Sequence, residues 1–189
     1  MDVVARAKNL IINPNQEWRV IAAEPADIQG LFTGYAMILS AIPAVAGFIG
    51  LSLIGSMLGL GRIGVFGAFL NMVVSYLLGL VGVFVLGKVI QFLAPRFDAP
   101  EDALAAMKLA VFAPTAAWLA GIFLILPLSV FGLIAALGGL YSLYLFYVGV
   151  PIVTRVPQER TVLFIIAVIV CAIVINVIVG LIAGAFLRL

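Results

Sequence analysis

Apolar positions in this chain come in long runs that never show a polar face, separated by short charged segments. Between Leu109 and Thr154 there is no charged residue at all. A soluble helix exposes polar residues every turn and a half-buried strand alternates, and neither period is present here. The run is about twice the roughly 20 apolar residues of one helical crossing. Leu126-Pro127-Leu128-Ser129 supplies a breaker near its middle, so it predicts two membrane helices joined by a tight, uncharged turn.

Extended to the whole chain, the same reading predicts five crossings. The first occupies residues 28–61 and the second 63–87. The third begins near Ala103, the fourth ends at Pro151, and the fifth occupies 161–187. Pro43 and Pro114 fall inside the first and third and predict helix kinks. Gly30-x-x-x-Gly34 and Gly55-x-x-x-Gly59 offer small-residue faces for close helix contact. Lys108, near the start of the third crossing, is expected to snorkel outward. Asn71, Tyr76 and Asn176 are candidate polar contacts within the membrane. Measured from the outer ends, the depths of Asn71 and Asn176 agree within about one turn, so each is expected to face the bundle interior and bond to the other or to a nearby carbonyl or hydroxyl such as Tyr76.

The hydrophilic residues 1–29 read differently. Val3, Ala7, Leu10 and Ile11 share one helical face, with Asp2, Arg6 and Lys8 off it. Asn13-Pro14-Asn15-Gln16 predicts a fresh helix start, in which Pro14, Trp18, Ile21 and Ala22 lie opposite Asn15 and Arg19. Two short amphipathic helices along the membrane interface, with Trp18 at the headgroups, fit this pattern. The alternative is that they pack on the protein's own cytoplasmic end. The fold class is therefore all-α: residues 1–29 as an amphipathic segment, then 30–189 as a polytopic bundle of five transmembrane helices.

Composition agrees and narrows the chemistry. The 189 residues are 66% hydrophobic and 10% charged, well below the roughly one quarter of soluble domains. The formal charge of +2, with no basic stripe, gives no reason to expect nucleic acid. Histidine is absent, which removes the commonest general base and zinc ligand, and the single Cys171 reads as a packing residue. No catalytic, metal or cofactor-binding residues are expected. Of the 10 Lys and Arg, eight fall on the side of the amino terminus and only Arg62 and Arg188 on the other. The positive-inside rule then puts the amino terminus in the cytoplasm and the carboxyl terminus outside.

The order of several short phrases resembles the bacterial members of the Yip-domain family of Ypt-interacting membrane proteins. They are Asn13-Pro14 with Glu17-Trp18, the stretch from Ala105 to Pro114, Trp118 to Phe123, Tyr144 to Pro151, and Val156 to Arg160. The resemblance covers nearly the whole chain and implies five crossings with a cytoplasmic amino terminus. Eukaryotic members bind Rab-type GTPases in vesicle traffic and carry an Asp-Leu-Tyr-Gly-Pro motif. The matching stretch here, Asp27-Ile28-Gln29-Gly30-Leu31, keeps the Asp and the Gly. The resemblance implies a non-enzymatic organiser or adaptor of a bacterial inner membrane. It would engage a protein partner at its cytoplasmic face, or self-associate, within the lipid bilayer. Trp18, Asp27, Gly30, Arg155, Glu159 and Arg160 are the candidate partner-facing residues. A small-molecule or ion transporter, channel or lipid scramblase is the alternative.

Overall fold

The computed structural model describes residues 2–54, 65–126 and 129–186, and among them there is helix and turn but no strand. Two ten-residue helices come first, α1 (Val3–Ile12) and α2 (Pro14–Ala23). Asp2 starts α1 by accepting from the amides of Val4 and Ala5 at 3.0 and 3.1 Å. Pro14 stands in the first turn of α2 as expected, although the Asn13 side chain makes no capping bond.

Five helices follow that are long and apolar enough to cross a membrane. Span one (α3) is Ile28–Ile49, capped by Asp27 on the amide of Gly30 at 2.9 Å. It contains a π-helical turn at Phe32–Ala36 and runs into another at Gly50–Ile54. Span two is Val65–Phe97, its helix α4 being Val65–Leu93. Span three (Ala103–Ile125) is α5 (Ala103–Phe112) and α6 (Thr115–Ala120), starting at the Asp102 cap. Span four is α7 (Ser129–Gly149), continued by a π-helical turn at Val150–Thr154, and span five is α8 (Gln158–Phe186). Large apolar residues such as Phe66, Leu133, Leu163 and Leu181 are exposed along these spans, as lipid contact requires.

The two prolines act differently. Pro43 sits inside an unbroken helix and packs against Gly121, where a Cβ would stand 2.5 Å from the proline Cβ. Pro114 divides span three, and the Ala117 amide beyond the break is met by the Ser142 hydroxyl of span four at 2.9 Å. Of the two small-residue faces, Gly34 has nothing within 4 Å of a built Cβ, and Gly30 approaches only its own Asp27 cap. Gly55 and Gly59 lie outside the described residues, as do Pro127, Arg62 and Arg188.

Aromatic contacts fix the registers. Phe32 meets Phe84 and Phe48 meets Phe69 across spans one and two, and Tyr76 donates to the Met37 carbonyl at 2.9 Å between them. Across spans two and five, Phe97 meets Phe164, and a Cβ on Gly82 would touch Ile175 at 3.7 Å. That register sets the backbone of Asn176 level with about residue 81, so half-buried Asn71 lies roughly 15 Å further along the bundle. The described contacts thus set the backbones of the two asparagines at different levels. The side chain of Asn176 lies outside what is described.

Candidate functional site

The amino-terminal helices form a hairpin whose apolar face is part of the core. Leu10, Trp18 and Ile21 are each 0 or 1% exposed. Trp18 lies edge-on to Phe112 of span three at 6.5 Å and abuts Gly149 at the end of α7. A Cβ on Gly149 would stand 2.7 Å from both the Trp18 ring and Leu109, so only glycine admits the indole there. Trp18 Nε1 has no acceptor among the described residues, and shape complementarity is what seats the ring. Trp18 therefore faces the protein's own core and not a partner or lipid; the packed alternative describes the hairpin.

The hairpin also bonds to span four. Tyr141 donates its phenol to the Ile11 carbonyl at the end of α1 at 2.6 Å, and α1 lies against Thr115–Ala120. The hairpin thus packs along spans three and four, while Lys8, Asn9, Asn13, Asn15 and Gln16 on its other face stay exposed.

Polar groups that sequence periodicity sets aside are what hold it. Arg6, 8% exposed, donates Nη1 to Glu17 Oε1 at 2.6 Å and Nη2 to the Glu24 carboxylate, and its guanidinium lies 6.0 Å from the Phe112 ring centre. Glu17 is itself 7% exposed. Lys108 does not snorkel: at 5% exposure it points Nζ at the end of α2, donating to the carbonyls of Ile21 and Glu24 at 2.7 and 2.6 Å, with Ala22 at 3.4 Å. Those carbonyls carry the negative end of the α2 dipole and have no helical donor of their own. Just above, Tyr35 and Thr115 share a buried hydrogen bond of 2.8 Å, and Thr115 donates on to the Phe112 carbonyl at 2.5 Å, beside the Pro114 break. Tyr35 packs on Phe112 at 4.5 Å. Phe112 thus joins the hairpin, span one and span three.

Arg6, Glu17, Glu24, Lys108 and Tyr35 were not among the expected site residues. The available signal was Lys108 itself, a cation a turn and a half inside an apolar helix, together with an α2 that has no basic residue in its last turn.

The remaining partner-facing candidates stay on the surface. Asp27, Gly30, Arg155, Glu159 and Arg160 are exposed. Arg160 bonds Asp98 of the loop after span two at 2.7 Å. Asp98 and Arg155 are the described non-glycine residues with positive φ, each at 59°. Among the described residues no cluster of three metal-ligating side chains occurs.

Five apolar spans with a polar-locked hairpin built into one end define a polytopic helical membrane protein whose amino-terminal segment is structural. A Yip1 domain model matches residues 8–182, and the chain belongs to that family. The match begins within α1. Among curated proteins, the inner membrane protein YohC from each of two Escherichia coli strains is 29% identical over 155 residues, covering 80% of this chain and 80% of the relative. No solved structure matches the chain.

Proposed function

We propose that this protein is a non-enzymatic organiser or adaptor of a bacterial inner membrane, with its amino terminus in the cytoplasm and its carboxyl terminus outside. It presents a rigid cytoplasmic end to a protein partner through Asp27, Gly30, Arg155, Glu159 and Arg160. The observation that carries this reading is how the charges at that end divide. Arg6, Glu17 and Lys108 are buried and fix the hairpin, with half-exposed Glu24 paired to Arg6, while Asp27, Arg155 and Glu159 are exposed and in no ion pair among the described residues. Arg155 is moreover held in a left-handed conformation that costs a side-chain-bearing residue of order 1 kcal/mol. Such strain at an exposed charge suits a residue positioned for recognition.

A transport reading has less support. The cavities at mid-span are lined by Leu86, Ala110, Pro114, Ser142 and Phe146 in one case and by Leu78, Gly82, Trp118 and Ile175 in the other; the Ser142 oxygen already accepts from the Ala117 amide, which leaves little to offer an ion. Crosslinking in native membranes followed by pull-down tests the organiser. Arg155→Glu should cut capture of the partner by about tenfold, the scale of one well-placed interface charge. Equal capture by wild type and variant, or recovery of lipid alone, would count against it.

A further inference from the structure

On the outer face of the hairpin lies a cavity of about 680 Å³, between α2, the end of span four and the start of α8. Asn15 and Arg19 form one wall, Tyr147, Val148 and Ile152 another, and Gln158 closes the base. Its charge sets it apart from the other polar cavities. The one between α2 and span one contains Glu24, Asp27 and Lys108, and the one along α1 contains Asp2, Arg6 and Glu17. Here Arg19 is the single charged residue in the lining, and no carboxylate lies within ion-pairing distance of it among the described residues.

The depth of the cavity indicates what would neutralise it. Trp18 abuts Gly149, so Arg19 stands beside the Val150–Thr154 turn, roughly 5 Å from the level of Arg155. The apolar span ends there, at Thr154, which is where a headgroup layer roughly 5–8 Å thick would begin. Ile152 lies beside Arg19, and one turn deeper the exposed Tyr147 ring and the apolar Val148 line the same opening, as a glycerol backbone and the first acyl methylenes would need. A free anion has no use for that wall. A zwitterionic headgroup would want an acid for its amine, and none lines the cavity.

We propose that this cavity binds an anionic phospholipid from the leaflet at the amino-terminal end. The guanidinium of Arg19 takes the phosphodiester, and the amides of Asn15 and Gln158 serve a hydroxylated headgroup such as glycerol. The site is independent of any protein partner, so its failure would leave the organiser reading standing.

Native mass spectrometry of the purified full chain, offered equal amounts of phosphatidylglycerol and phosphatidylcholine, tests it. Wild type should retain phosphatidylglycerol in about fivefold excess, the worth of one arginine near a lipid phosphate. Arg19→Gln should bring the two lipids to parity, Arg19→Lys should keep most of the preference, and Lys8→Gln, outside the cavity, should change nothing. Gln158→Glu adds an acid to the lining and should abolish the preference with Arg19 intact, so the result does not hang on one variant. Excess soluble glycerol phosphate should fail to displace the lipid. Equal retention of both lipids by wild type, an undiminished preference in Arg19→Gln, or displacement by glycerol phosphate would overturn the assignment.

Discussion

Replacing Arg6 with methionine should destabilise the bundle by about 3–5 kcal/mol, the range for removing one partner of a buried ion pair. The cost comes less from the lost bonds than from what remains. Glu17, 7% exposed, would keep a carboxylate in the core with its guanidinium gone. The pair is expected to contribute little net stability, because desolvating two ions cancels most of their attraction. That gives a sharp second outcome. Arg6→Met with Glu17→Gln removes both charges together and should recover more than about 1 kcal/mol of the loss, a coupling typical of contacting residues. Chemical denaturation in micelles measures the cycle. Strict additivity would mean that Arg6 and Glu17 do not depend on each other.

Lys108→Met should have the second largest effect, about 2–4 kcal/mol, since hydrogen bonds from a charged donor are worth roughly 1.5–3 kcal/mol each before relaxation. Its mark should be local. With the ammonium gone, the carbonyls of Ile21, Ala22 and Glu24 lose their donor beside the apolar span, and the end of α2 is best satisfied by water. Hydrogen exchange should therefore rise across Pro14–Ala23 while α4 and α8 keep their protection. Uniform loss of protection throughout the bundle would mean that Lys108 supports span three itself rather than the hairpin.

What could be read from the sequence follows the physical strength of each signal. The five spans were legible because a run with no charge has no soluble fold available to it. The start of α2 was legible because Pro14 in a first turn is a local signal. The hairpin's interior was not. Arg6 lies off the apolar face of α1 and Glu17 is next to Trp18 in α2, and only the approach of the two helices makes each the solvent of the other. Lys108 reads as a snorkelling cation until the end of α2 is brought to it from more than 80 positions away. The relative levels of Asn71 and Asn176 were hard to read for a related reason. Depth counted from helix ends assumes that both ends meet one surface, whereas register is set by contacts such as Phe97 with Phe164 and Gly82 with Ile175.

The central claim is that the amino-terminal hairpin belongs to the core of the bundle. Trp18 reports on it directly once Trp118 is replaced by phenylalanine, since these are the two tryptophans of the chain. In liposomes, Trp18 emission should be blue-shifted and resist both aqueous iodide and a bromine placed at the lipid headgroups, as a fully buried indole does. Emission at water-like wavelengths with iodide quenching, or strong quenching by the headgroup bromine, would contradict it.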